Sequence, residues 1–218
     1  MLRELCTAYR LLEDQSGLRP GDAVIVNAAN STVGQALIQL SKLLRLRCVA
    51  VVRATEGPGD FERDRAWLSD LGADEVLRDA GNLSAELDRR RFFSRPKVAF
   101  DSVGGASSMR ITDALGEGGR VVVFGCASGR APQWPWQQWV FKHVRAEGFN
   151  VRRWMQEHPS QVQAMLDPIA KLVSSGGLRV NFTEYELSSE FAEALEHASE
   201  PRRNTKVLLR NKEVAVTY

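Results

Sequence analysis

A chain of 218 residues with 44% hydrophobic and 26% charged side chains has an ordinary globular composition and enough length to bury a full core. Its net charge of +2 gives no reason to expect nucleic acid, and no apolar stretch has membrane-spanning length. Three cysteines, odd in number and far apart, and three histidines without ligand spacing argue against a disulfide framework or a metal site.

In chain order, Arg3 to Gln15 reads as a helix with Leu5, Ala8, Leu11 and Leu12 on one face. Gly17, Pro20 and Gly21 end it. No signal-peptide core lies in residues 1–20, so any targeting sequence is expected to be missing or never present. Val24-Ile25-Val26 is a buried strand. After a turn of small and polar residues, Val33, Ala36, Leu37, Leu40, Leu43 and Leu44 recur at helical spacing. Arg47 to Arg53 is a second strand, and Phe61 to Leu71 a helix with Gly72 at its C-terminal cap. A third strand starts at Asp74 to Leu77, a helix runs from Leu83 to Phe93, and Lys97 to Asp101 is a fourth strand. Ser107 to Leu115 is helical and Arg120 to Phe124 a fifth strand. This alternation is the rhythm of a parallel sheet with helical crossovers.

The last third is less regular. Ala127 to Trp136 is a loop in which Trp134 and Trp136, with Trp139 just beyond, crowd together, either as packing or as an apolar wall. His143 to Val151 is a candidate sixth strand. Ser160 to Ser174 is an amphipathic helix that tolerates Pro168. Tyr185 to Leu187, a helix from Ser189 to Ala198, and Lys206 to Leu209 complete the chain. With no obvious linker, residues 1–218 read as one Rossmann-like α/β domain. Its expected core is a doubly wound, parallel six-stranded sheet with helices on both faces, and residues 1–20 form a connecting helix. The short basic clusters at Arg89 to Arg91, Arg152-Arg153 and Arg202-Arg203 read as solvated helix ends.

Two stretches carry chemistry. The helix opening after Asn30-Ser31 presents unpaired N–H groups and the positive end of a dipole, a seat for phosphate. The full glycine fingerprint is absent: Ala29 and Ser31 hold the first two glycine places and Gly34 the third. About 20 residues on, where an acid would take the ribose hydroxyls of NAD, the second strand ends in Arg53, which suits the 2′-phosphate of NADPH.

These residues resemble the cofactor-binding domain of the medium-chain dehydrogenase/reductase superfamily, and within it the mitochondrial 2-enoyl thioester reductases. The resemblance runs through Cys-Thr-Ala-Tyr-Arg at 6–10, Pro-Gly-Asp at 20–22, Asn-Ser-x-Val-Gly-Gln at 30–35 and Val-Val-Arg at 51–53. It continues through Leu-Gly-Ala-Asp at 71–74, Val-Gly-Gly at 103–105, Phe-Lys at 141–142 and Gly-Phe at 148–149. It implies that Asn30, Ser31, Thr32 and Val33 line the pyrophosphate, with Gly34 completing the turn, and that Arg53 holds the 2′-phosphate. Phe124, Gly125, Phe149 and Val151 would border the cofactor, and Lys206 would reach a phosphate. Thr32 stands where the family has glycine, and Glu4-Leu5 stands where it has Asn-Pro. Thr32 would be strained if its backbone needed a positive φ. Glu4 would repel a phosphate.

The resemblance further implies a mitochondrial homodimer joined through the edge of the sixth strand, near Phe141 to Phe149. The substrate would be an enoyl thioester of CoA or acyl-carrier protein. In the family a barrel-like domain upstream supplies the tyrosine that protonates the substrate. The sequence is expected to carry no such domain ahead of Met1, Tyr9 sits in the connecting helix, and Tyr185 and Tyr218 match no catalytic position, so no catalytic residue is assigned. A non-catalytic nucleotide-binding subunit and a quinone-reductase-like oxidoreductase remain alternatives.

Overall fold

Ala23–Val26 (β1) lies at the centre of the molecule, and all four side chains are fully buried. A strand buried this way needs cover on both faces. The computed structural model describes residues 2–15, 17–53, 59–92, 94–200 and 204–211. Five more strands lie beside β1: Arg47–Arg53 (β2), Glu75–Asp79 (β3), Pro96–Asp101 (β4), Arg120–Val123 (β5) and Arg145–Gly148 (β6). Their order is β3-β2-β1-β4-β5-β6, and every pairing is parallel. The expected doubly wound six-stranded sheet is therefore present.

Pleating sends alternate residues to two cores. Val24, Val26, Cys48, Ala50, Val52 and Phe100 pack under the helices Leu2–Glu13 (α1), Thr32–Leu43 (α2) and Asp60–Leu71 (α3). Ala23, Ile25, Val49, Val51 and Ala99 face the opposite core, built with Leu83–Arg89 (α4) and Gly105–Asp113 (α5). Strand order turns between β1 and β4, so a crevice opens beyond their carboxyl ends.

Several boundaries differ from the sequence reading. Leu43 and Leu44 are half exposed rather than part of the buried stripe. The helix closes at Leu44, the chain turns through Arg45 in the left-handed region, and Leu46 takes the buried place. The sixth strand is shorter than expected and all four of its residues are exposed. Around it stand two helices of seven residues, Trp136–Lys142 (α6) and Val151–Glu157 (α7), too short for a stripe to show. Trp134 and Trp139 pack edge to face at 5.6 Å against the second core, while Trp136 and Phe141 stay exposed.

Val162–Ser174 (α8) runs through Pro168 and buries Met165 and Ile169 on the first core. Beyond it, Phe182–Glu186 (β7) starts earlier than expected. It pairs in parallel with Lys206–Arg210 (β8) across the helix Phe191–Ser199 (α9), forming a separate two-stranded sheet. Arg89 and Arg90 are paired with Glu86 and Glu75, as befits a solvated helix end. Arg202-Arg203 and Tyr218 lie outside the described residues.

Candidate dinucleotide site

The turn from β1 to α2 is built from backbone. Ala28 adopts φ +45, the Ala29 N–H donates to the Val51 carbonyl at 3.1 Å, and the Ser31 N–H donates to the Ala28 carbonyl at 2.9 Å. Ser31 is extended and caps α2: its Oγ accepts from the Gly34 N–H at 3.2 Å, and its carbonyl accepts from Gln35 at 2.8 Å. The N–H groups of Thr32 and Val33, in the first turn, have no intrahelical acceptor. Both residues line a cleft of about 430 Å³.

Thr32 is the first helical residue and has no positive φ, so the strain raised by its β-branched side chain does not arise. Gly34 serves close approach. A Cβ there would lie 2.6 Å from the Ala29 Cα and carbonyl oxygen, and backbone cannot yield that distance cheaply.

The same cleft receives Asn30, Arg53 and Lys206. Arg53 ends β2 exposed and pairs with no described residue. Asn30 is tied sideways: its Nδ2 donates to Asn204 Oδ1 at 3.3 Å, and its carbonyl accepts from Gln35 Nε2 at 2.7 Å. Lys206 is engaged as well, its Nζ donating to Glu4 Oε1 at 3.1 Å. Burial raises the Glu4 carboxyl, but hydrogen bonds and the charge of Lys206 outweigh it and hold the group down at about 2.

The other expected residues lie further along the carboxyl ends of the strands. The Phe124 N–H donates to the Asp101 carbonyl at 2.8 Å, and a Cβ on Gly125 would sit 3.1 Å from the Ser102 carbonyl oxygen. Phe149 lines a second cleft of about 480 Å³ with Val123, Gly148, Asn150 and Trp154. Val151 differs from the expectation: its side chain is buried in the first core, because the first turn of α7 points it inward. Any part it plays at the cleft falls to its backbone.

Two positioning groups went unnoticed in the sequence. Asp101 is fully buried; its Oδ1 accepts from Asn27 Nδ2 at 2.7 Å and from the N–H groups of Val103 and Gly104, and its Oδ2 accepts from Ser108 Oγ. That network clamps the β4–α5 turn to the β1–α2 turn. Gln35 is a polar residue on the buried face of α2, and its Nε2 also reaches the Asn204 carbonyl at 3.0 Å. A polar side chain inside an apolar stripe was the available signal for it. Of the described tyrosines, Tyr9 packs against the first core and Tyr185 bonds His197 Nδ1 at 2.8 Å; neither lines the cleft.

A parallel sheet whose order turns at β1 and β4, with an open helix N-terminus over that crevice, defines a nucleotide-binding domain of the doubly wound class. Residues 32–171 match the zinc-binding dehydrogenase family, and the chain belongs to it, as the nucleotide-binding domain of a medium-chain dehydrogenase/reductase. It is similar to the mitochondrial enoyl-[acyl-carrier-protein] reductase of Xenopus tropicalis, 34% identical over 209 residues, which are 94% of this chain and 59% of that protein. It also superposes on the mitochondrial 2-enoyl thioester reductase Etr1p/Etr2p heterodimer from Candida tropicalis (TM-score 0.82, 22% identity, 92% of this chain and 58% of that one). A complex of Etr1p with NADP and crotonyl-CoA matches with TM-score 0.84 at 22% identity, over 96% of this chain and 60% of that one. The two structural likenesses speak for the fold. The chain spans little more than half the length of these relatives. Although the family name carries zinc, no group of three or more His, Cys, Asp or Glu among the described residues is placed to hold a metal ion.

Proposed function

We propose that this chain is the NADPH-binding part of a 2-enoyl thioester reductase. The observation that carries the reading is the convergence, in one cleft, of the open first turn of α2 with the guanidinium of Arg53, which pairs with no described residue. The N–H groups of Thr32 and Val33 offer donors to a pyrophosphate at the positive end of the helix dipole. Arg53 offers a charged fork to a 2′-phosphate, where an acidic side chain would repel it. Gly34 and the Asp101 network hold both turns in place, so little reorganisation accompanies binding. Phe149, in the neighbouring cleft, and Phe124, just beyond β5, would border the cofactor. When bound, NADPH supplies hydride for an enoyl thioester of CoA or acyl-carrier protein. The relatives' names support this substrate class and a mitochondrial setting.

The test is a titration with NADPH and with NADH. A charge-assisted phosphate contact is worth about 1.5–3 kcal/mol, so Arg53→Ala weakens NADPH about tenfold or more and leaves NADH nearly unchanged. Equal losses for both cofactors, or none, overturn the assignment.

The same reading includes a homodimer joined at the β6 edge. All four β6 residues are exposed, and Trp136, Val140 and Phe141 leave an apolar surface on α6 close by. Light scattering at micromolar concentration then reads the mass of two chains; a single-chain mass rules this interface out.

A further inference from the structure

The Glu4–Lys206 pair joins residues 202 positions apart and lies in the wall of the phosphate cleft itself. Glu4 sits in the first turn of α1, and its side chain is only 15% exposed. Lys206 opens β8, and its side chain is 32% exposed. The pair shares the cleft with the open first turn of α2 and with Arg53. The Glu4 carboxylate occupies Lys206, a cleft cation that a phosphate would otherwise meet, and also lies 3.6 Å from Arg3. We infer that Glu4 is an internal counter-anion of the cleft, which holds Lys206 and must give it up before Lys206 can meet a ligand's phosphate.

Three consequences follow from charge alone. The free cleft is less positive than its lysine and arginine imply, so any phosphate-bearing ligand binds more weakly than the donors would allow. Arg53 pairs with no described residue, although Glu200 lines the same cleft, so it is the more available of the two cations. Discrimination between cofactors with and without a 2′-phosphate therefore falls on Arg53, while Glu4 sets the overall affinity for both. Glu4 is thus an affinity-determining residue that acts through Lys206. This rests on the reading of the cleft as a dinucleotide-phosphate site.

The test uses the full chain and four forms: wild type, Glu4→Gln, Lys206→Met and the double variant. Each is titrated calorimetrically with NADPH, NADH and inorganic pyrophosphate, and circular dichroism verifies the fold. Removing the carboxylate frees the lysine and is expected to tighten all three ligands by roughly three- to tenfold, an effect that shrinks at high salt. In the Lys206→Met background the gain from Glu4→Gln falls to less than half, because no lysine is left to release. A full gain in that background means that Glu4 repels the ligand directly, and overturns the role assigned through Lys206. Unchanged or weaker binding by folded Glu4→Gln overturns the inference outright. Pyrophosphate keeps the two readings apart: if it binds and tightens while neither nucleotide binds, the counter-anion stands and the NADPH reading falls. If no ligand binds any variant, both fall.

Discussion

The chain contains two parallel sheets whose strands are buried to different degrees. Every residue of β1 is fully buried, and β2 is covered from Cys48 to Val52. No residue of β7 or β8 is buried, and Phe182, Phe191, Leu195 and Leu209 are about half exposed on that unit. Parallel pairing is continuous in both, apart from one register shift between Ala23 and Val24 in the larger sheet. The difference is cover: the larger sheet has helices on two faces, whereas the smaller has α9 and a polar attachment through Asn204, which reaches Gln35 and Asp64, and through Lys206, which reaches Glu4. Two strands are too few to bury an apolar face of their own. Hydrogen-bonded pairing alone therefore does not make a core, and the stability of the molecule resides in the six-stranded sheet.

The sharpest way to break this comparison is to hollow each sheet in turn. Phe100→Ala removes a fully buried ring between β1 and β5 and should cost about 3–5 kcal/mol. Leu209→Ala, at a half-exposed position, should stay within about 0.5 kcal/mol. Urea midpoints check both, and similar costs would show that the smaller sheet carries a core of its own.

A smaller effect is expected at the join between β1 and α2. Gly34→Ala places a methyl against the Ala29 backbone and should cost about 1–3 kcal/mol in thermal or urea unfolding. It should also weaken nucleotide binding at least about tenfold, since tilting α2 misdirects the Thr32 and Val33 donors. Retained affinity would mean that the donors tolerate a shifted helix and that the turn serves packing only.

The smallest effect probes the contact between the two regions. The Glu4 carboxyl is depressed from 4.5 to about 2 in the folded chain, so it stabilises the fold above the ordinary carboxylate range. That contribution is lost as the pH falls toward 2. Glu4→Gln should therefore melt about 1–2 °C below wild type at pH 6, and the gap should narrow below about pH 4.5 and close only as the pH reaches about 2. A gap that stays constant with pH would mean that the side chain contributes packing and not charge.

Much of the larger sheet was legible from residue patterns. Val24 to Val26 and Arg47 to Arg53 read as strands because a run apolar on both faces has few other homes. Gly72 read as a cap, and it has φ +119 with its N–H on the Leu68 carbonyl at 3.2 Å. The opening of α2 was visible in Asn30-Ser31 ahead of the periodic run, and Ser31 is its cap. Less was legible where elements are short: α6 and α7 complete too few turns for a stripe to be distinguished from a packed loop.

What the amino-acid order determined by itself is what sterics and periodicity settle within a few residues: the strands of the main sheet, the phosphate-type turn, and Arg53 at the end of β2. The tertiary structure alone decided which distant groups meet. It buried Val151, it let Leu46 rather than Leu44 enter the core, and it paired β7 with β8. It also set Glu4 against Lys206 across 202 residues of chain. Such contacts carry no local signature, because each depends on how whole helices and strands pack after their own patterns are satisfied. An exposed-looking Glu in one helix and a Lys opening a late strand become a single charge pair only when α1 and β8 converge on the same cleft.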